Sequence, residues 1–310
     1  MKELTPHIAI ALCTYNGAAF LHEQLQSFVN QTHGNWSLWV SDDGSTDGTW
    51  DILLAFQRDY GNAHDIRLLR GPGEGSCRNF LSLLCHPDFP HGYVALADQD
   101  DVWLKGKLAR AVQMMRKTPH GYVLYGAQSF HVAQNLQILG RSKQPQHPPS
   151  FANAMVQNVV SGHSMVLSPE ALQLVRRIGC DHEIPFHDWW IYQLVSGVGG
   201  EVVLDTRPVL LYRQHDTNVM GARRGMAALT ARINALRAQT YKHWIAANLD
   251  TLWRHRGILN PEARAKIEAF QNTRVSRGAE RAAFLRALGL KRQAPLGTVG
   301  LYLAGALGWV

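Results

Sequence analysis

The chain has 310 residues, 46% hydrophobic and 18% charged, with a formal net charge of +7. This is enough chain to bury a sizeable core, and the composition excludes a disordered, collagenous or disulfide-stapled protein. The charge is uneven: residues 222–310 hold fifteen Lys/Arg against four Asp/Glu (+11), and residues 1–221 hold sixteen against twenty (−4). The four cysteines, Cys13, Cys77, Cys85 and Cys180, show no Cys-x-x-Cys spacing. That argues against a zinc site and fits a reducing compartment, as does an N-terminus without the pattern of a signal peptide.

In chain order, Ile8-Ala9-Ile10-Ala11-Leu12 reads as a buried parallel strand that ends at the polar turn Cys13-Thr14-Tyr15-Asn16-Gly17. Residues 20–30 have near-helical apolar spacing. A second strand, Trp36-Ser37-Leu38-Trp39-Val40, ends at Ser41-Asp42-Asp43-Gly44-Ser45-Thr46-Asp47, where Asp47 is a candidate cap for a helix over 49–60. A third strand, Ile66-Arg67-Leu68-Leu69, leads to the glycine-rich segment 71–76 and a helix over 77–84. The fourth, Tyr93-Val94-Ala95-Leu96-Ala97, delivers Asp98, Asp100 and Asp101 within four residues. Carboxylates this close repel one another, and a hard divalent cation, Mg²⁺ or Mn²⁺, would relieve that cost while gripping a diphosphate.

Strand alternates with helix, and each polar loop follows the carboxyl end of a strand. In an open α/β sheet those ends meet at the ligand crevice, so Asp43, Gly75 and Asp100 are expected to be neighbours. The first strand is not followed by Gly-x-Gly-x-x-Gly or a P-loop, which disfavours a dinucleotide dehydrogenase and a phosphate-loop NTPase. A sugar nucleotidyltransferase would need a basic, glycine-rich triphosphate loop there and is a weaker alternative.

Seven motifs then align in order: Leu12 to Gly17, Ser41 to Asp47, Gly75-Ser76-Cys77-Arg78-Asn79-Phe80, Ala97 to Trp103, Gln157-Asn158-Val159-Val160-Ser161-Gly162, His187-Asp188-Trp189-Trp190, and Tyr212-Arg213-Gln214-His215-Asp216-Thr217-Asn218. Together they resemble family 2 glycosyltransferases, in particular the bacterial rhamnosyltransferase-like branch. The resemblance covers residues 8–221. It implies an α/β protein of the glycosyltransferase A type, a Rossmann-like mixed sheet flanked by helices. Residues 1–221 would form the catalytic domain and residues 222–310 a basic, mostly helical appendage.

The implied activity is metal-dependent, inverting transfer of a sugar, L-rhamnose from dTDP-rhamnose, onto a polysaccharide or lipid-linked oligosaccharide. A UDP-hexose or UDP-N-acetylhexosamine donor is the alternative. By the same resemblance Thr14, Tyr15, Asp43, Arg78 and Asp98 would bind the donor nucleotide. Tyr15 would lie against the base unless it is a core tyrosine, and Asp43 would accept from a pyrimidine N3–H, with a one-residue ambiguity against Asp42. Arg78 would touch base or phosphate or be solvated, while Asn79 braces its loop. Asp100 and His215 would hold the cation, Arg213 would reach the diphosphate from a mobile loop, and Asp101 would stand behind the metal or meet the acceptor. Asp188 would be the general base, with Glu183 a weaker candidate and His187 a neighbour that assists it. Trp189 and Trp190 would offer flat faces to the acceptor sugar, although the same residues also read as the start of a buried helix.

The basic tail reads as helical, with Pro261 starting a helix, and it contains no nucleic-acid-binding motif. Residues 293–310 carry no charge and fall short of the roughly 20 apolar residues a membrane span needs. Two readings stay open for this segment, an interfacial anchor and packing on the protein itself. The first would place a cytoplasmic enzyme at the inner face of the cell membrane.

Overall fold

The computed structural model describes residues 5–180, 183–215, 239–272 and 278–310. Two compact units account for them, one formed by residues 1–144, 160–181 and 200–216, the other by residues 145–159, 182–199 and 217–310. Packing therefore does not divide the chain at a single cut near residue 221. Arg223 and Arg224 lie outside the described residues.

The first unit is built on nine strands: β1 (Ile8–Thr14), β2 (Trp36–Asp42), β3 (Ile66–Arg70), β4 (Tyr93–Ala97), β5 (Val102–Trp103), β6 (Val123–Val132), β7 (Ile138–Arg141), β8 (Val166–Leu167) and β9 (Glu201–Arg213). Their order is β3-β2-β1-β4-β8-β6-β9-β5, with β7 paired to β6. Strands β1 to β4 are mutually parallel, β8 runs against both its neighbours, and β5 runs against β9. Every residue of β1 and β2 is buried, which is why both are mostly apolar rather than alternating: helices cover both faces. These helices are α1 (Ala18–Val29), α2 (Thr49–Tyr60), α3 (Ser76–Leu84) and α4 (Lys107–Met115), followed later by α6 (Pro169–Ile178).

The register places the site. Thr14 pairs with Asp42, Asp42 with Arg70, and Leu12 with Ala97. The loops beginning at Tyr15, Asp43, Gly71 and Asp98 therefore leave the sheet from adjacent strands, about 4.8 Å apart. The N-cap of α2 is Gly48 and not Asp47, which stands one position before it. The Asp47 carboxylate accepts from the Thr49 N–H at 2.9 Å and also from the Ala18 N–H at 3.1 Å, so it ties the starts of two helices together.

Strand β9 is longer than its sequence suggested. The apolar run 208–211 was legible, but pairing with β6 begins at Glu201. Pro208 interrupts the pattern in the sequence and sits at a register shift between Ala127 and Gln128, where a strand tolerates proline. Beside it, Asp205 receives two bonds from Arg110, at 2.7 and 3.0 Å, and one from the Tyr125 hydroxyl at 3.0 Å. Burial, the largest single influence, pushes the Asp205 carboxyl up, but Arg110, the Arg207 N–H and the Tyr125 hydroxyl together outweigh it and hold the group below its ordinary range. A carboxylate depressed in the folded state stabilises the fold above its unfolded value of about 4, and that contribution is lost as pH falls through the lower folded value. Asp205→Asn is therefore expected to cost about 3 kcal/mol at pH 7, at the low end for a buried pair because Arg110 is partly exposed. Urea unfolding should show the deficit shrinking below about pH 4, where the native carboxylate also takes up its proton.

The second unit contains α5 (Phe151–Ala154), α7 (His187–Gly197), α8 (Thr240–Arg254), α9 (Pro261–Asn272), α10 (Gly278–Ala287) and α11 (Pro295–Ala306). Pro261 does open a helix. The Trp189 indole N–H donates to the Ala154 carbonyl at 2.6 Å, and its ring stacks on Tyr241. The absent side chain of Gly197 leaves room for Leu259 and Phe151. Among the described residues no helix is long and apolar enough to cross a membrane.

Candidate active site

Four sequence-distant loops meet at the carboxyl edge of the parallel strands. The first and last are locked together reciprocally: the Tyr15 N–H donates to the Gln99 side-chain oxygen and the Gln99 amide donates to the Tyr15 carbonyl, both at 2.9 Å. A methyl group on Gly17 would overlap that carboxamide in its present position, so a larger residue there would displace the Gln99 side chain. The Tyr15 ring is 58% exposed, which rules out a core role and leaves an aromatic face on the rim. Thr14 is buried beneath, its hydroxyl donating to Asp42 at 2.9 Å.

Of the paired aspartates, Asp42 is fully buried and shapes the turn, accepting from Thr14 and from the backbone and hydroxyl of Ser45. Asp43 is held differently. Its two oxygens accept from the N–H groups of Gly73 and Gly75, each at 2.7 Å. The carboxylate is thus fixed in orientation by the glycine loop, with acceptor lone pairs to spare. Asn79 bonds Ser41 through both ends of its amide and braces the same edge, as one sequence reading had it. Arg78 lies on α3 with Glu74 at 3.3 Å, so it is paired rather than simply solvated.

The acidic loop joins β4 to β5, and β5 pairs with β9 so that Val102 faces Leu211. This pairing brings residues more than a hundred positions apart into contact. The His215 Nε2 lies 2.7 Å from an Asp100 carboxylate oxygen, and the His215 ring sits 5.2 Å from that of Phe20. Arg213, expected on a loop, is the last residue of β9 and only 2% exposed. Its guanidinium bonds the Asp100 carbonyl at 3.0 Å, the Gln134 carbonyl and the Glu23 carboxylate, and it lies over the Phe20 ring. The strand extends two residues further than the apolar pattern because Tyr212 and Arg213 still pair with His131 and Val132 of β6.

Beneath Asp100 is a buried charged cluster that the sequence did not reveal. Asp101 is fully enclosed, one oxygen accepting from the Arg213 N–H at 3.4 Å and the other without a hydrogen-bond partner among the described residues. Burial, together with the neighbouring Asp100 and Asp98 carboxylates, pushes its pKa well up. Asp101 is thus closed off from solvent, unlike the partly exposed Asp100 beside it. Ligand atoms of Asp98, Asp101 and His163 lie within 4.8 Å of one another. Nearby, the Lys107 ammonium donates to the His163 carbonyl at 2.5 Å and rests 3.5 Å over the Trp103 ring. Its burial lowers the Lys107 pKa well below the ordinary value. Burial, with help from Lys107, also drives that of His163 down to about 3, so the imidazole is neutral. Lys107 was invisible in sequence, because a lysine at a helix start reads as solvated.

In the second unit, Asp188 lies in the first turn of α7, half-buried, with one oxygen accepting from the Trp189 N–H at 2.7 Å. His187 beside it is buried, which lowers its pKa. Glu183 is exposed. Trp189 and Trp190 are 4% and 0% exposed. The expectation that their faces meet a sugar is corrected: α7 is apolar on nearly every side, and both indoles are spent on its core.

The glycosyl transferase family 2 profile matches residues 9–173, a little over half of the chain. The dTDP-rhamnosyl transferase RfbG of Shigella flexneri is 26% identical over 237 residues, 74% of this chain and 81% of that protein. The UDP-Glc:alpha-D-GlcNAc-diphosphoundecaprenol beta-1,3-glucosyltransferase WfgD of Escherichia coli is 29% identical over 45% of this chain and 51% of its own length. Among solved structures, Staphylococcus aureus TarS 1-349 in complex with UDP-GlcNAc superposes with a TM-score of 0.58 at 14% identity, covering 91% of this chain and 83% of that one. The mannosyltransferase PcManGT of Pyrobaculum calidifontis, in complex with GDP-Man and Mn2+, gives 0.53 at 15% identity over 97% and 86%. The sheet order is therefore that of the glycosyltransferase A type, and with the profile spanning β1 to α6 the chain belongs to glycosyl transferase family 2 and is a glycosyltransferase.

Proposed function

We propose that the protein is a metal-dependent, inverting glycosyltransferase that moves L-rhamnose from dTDP-rhamnose onto a polysaccharide or lipid-linked acceptor at the inner face of the cell membrane. The observation that carries this reading is the convergence of Tyr15, Asp43, the 98–101 loop and His215 on one edge of the sheet. The rhamnosyl donor is supported by RfbG, which aligns over three quarters of the chain, and the lipid-linked acceptor by WfgD. Because WfgD is named for UDP-Glc and the TarS complex holds UDP-GlcNAc, a UDP-hexose or UDP-N-acetylhexosamine is the second reading. Domain-wise, residues 1–221 supply the donor-binding residues and Asp188, and residues 222–310 the basic region.

Tyr15 offers stacking area to the nucleobase without demanding a particular one. Asp43, with its orientation fixed, accepts from a pyrimidine N3–H, and Arg78 is placed on the same glycine-loop helix to meet base or phosphate. Asp98 serves the ribose. The partly exposed donors, Asp100 and His215, suit a divalent cation. Two ligand atoms in adjacent positions on Mg²⁺ lie about 3 Å apart, close to the 2.7 Å seen between their O and N atoms. The Asp98, Asp101 and His163 group suits it less, since the Lys107 ammonium already stands beside it. When bound, the cation would neutralise charge developing on the departing diphosphate. Asp188 takes the proton of the attacking hydroxyl in a single displacement through an oxocarbenium-like state.

In this scheme Arg213 is a positioning residue. It holds the Asp100 carbonyl and so the direction in which that carboxylate points. Arg213→Lys keeps the charge, but a single ammonium nitrogen cannot span acceptors that the guanidinium reaches from three separate nitrogens. It is expected to weaken Mn²⁺ binding, read by electron paramagnetic resonance, by about 10- to 100-fold; unchanged binding would leave Arg213 a purely structural group. The function itself is tested by assaying a panel of nucleotide sugars for hydrolysis and transfer with Mg²⁺, Mn²⁺ or chelator. Turnover of dTDP-rhamnose above the UDP-sugars supports the proposal, and preference for a UDP-sugar selects the second reading.

A further inference from the structure

The terminal helix α11 carries two opposed faces. Leu301, Ala304 and Gly305 are turned inward, and Gly305 lets the helix approach so closely that a methyl group there would overlap Leu285 of α10. On the other side Leu296, Val299, Leu303 and Leu307 are 86%, 54%, 61% and 57% exposed. Their spacing of three, four and four residues puts them on one line along the helix. Single exposed leucines are ordinary, but four in a row on a helix whose other face is already packed form a surface.

The charges around this stripe say what covers it. The thirty residues 281–310 contain Arg281, Arg286, Lys291 and Arg292 and no Asp or Glu. Arg286 and Lys291 are exposed, and Lys291 lies four residues ahead of Pro295, the first residue of α11. At the other end Lys242 donates to the Gly308 carbonyl at 3.0 Å. An apolar line bounded by cations at both ends matches an anionic lipid interface, where acyl chains take the leucines and headgroups the ammonium and guanidinium groups. A second copy docked on the same stripe would bring Lys291 near either its own equivalent or Lys242, according to the direction in which it ran, so charge opposes it either way. The helix spans about 18 Å, well short of a bilayer core, and must lie along the surface rather than cross it.

We infer that the Leu296, Val299, Leu303 and Leu307 face of α11 is a docking surface for an anionic lipid bilayer, with the helix in the plane of the headgroups. This deepens the membrane-acceptor reading above and rests on it for its purpose, but its test is separate. The full chain is sedimented with vesicles of equal parts phosphatidylglycerol and phosphatidylcholine, and with phosphatidylcholine alone. Binding is expected to the first and at least ten-fold weaker to the second. Leu296→Glu combined with Leu303→Glu is expected to reduce binding at least ten-fold while leaving the circular dichroism and melting temperature in place, since both side chains face solvent. Lys291→Ala should weaken binding about five-fold on the anionic vesicles. The inference is overturned if the native chain ignores both vesicles, if the double variant binds as well as the native chain, or if light scattering shows a native dimer that the double variant dissolves without any vesicle binding. Donor hydrolysis measured without vesicles reports on the glycosyl-transfer reading alone, so the two can fail independently.

Discussion

Asp100→Asn is expected to lower metal-dependent turnover of the sugar nucleotide by at least about a thousandfold, equivalent to some 4 kcal/mol of barrier. The amide keeps the size and one oxygen but removes the charge that attracts the cation. It also changes the partner of the His215 Nε2, 2.7 Å away, so the two proposed ligands are disturbed together. The fold should survive, because the surrounding brace uses the Asp100 backbone carbonyl and not its carboxylate. Initial rates against Mg²⁺ and Mn²⁺ concentration, with thermal melting as control, check this. A variant that turns over donor at the native rate removes the metal role from Asp100.

Asp188→Asn is the second large effect, and its signature is different. Removing a general base costs about 10²- to 10⁴-fold in rate, and donor affinity should stay as it is. The expected pattern is therefore a collapse of kcat for transfer with an unchanged Kd for the nucleotide sugar, the latter by calorimetry. An equal loss in both would reassign Asp188 to donor binding. The local structure makes the comparison clean, since Asn at this position can still accept from the Trp189 N–H.

Much of the donor side was legible in the sequence, because its signals are local. The apolar run Ile8-Ala9-Ile10-Ala11-Leu12 and the largely apolar Trp36-Ser37-Leu38-Trp39-Val40 announced strands covered on both faces, and the small and acidic residues after each one announced loops at the same edge. The contents of those loops were harder to read. Asp43 could be named, but its fixing by two glycine N–H groups follows from the positive φ of Gly73 and Gly75, and composition only hints at that. Arg213 was misplaced onto a loop because the partners that draw it into the interior, Glu23 and Gln134, are far away in sequence. Lys107 shows the same limit, since a buried ammonium has no periodic signature. The tryptophans of α7 failed for a different reason: an aromatic pair beside a carboxylate reads equally well as a sugar platform or as core, and only burial separates the two.

The interleaving of the two compact units has a consequence for how the protein is made. The interior around α7 is finished by Tyr241 against Trp189 and by Leu259 against Gly197, partners that follow it by some fifty residues or more. On the ribosome, therefore, Trp189 emerges with Ala154 already made but some fifty residues ahead of Tyr241, so one face of its ring stays uncovered until the helices beyond residue 240 are synthesised. A gene shortened at codon 221 would yield a polypeptide with a permanently sticky flank, destined for inclusion bodies rather than a trimmed catalyst.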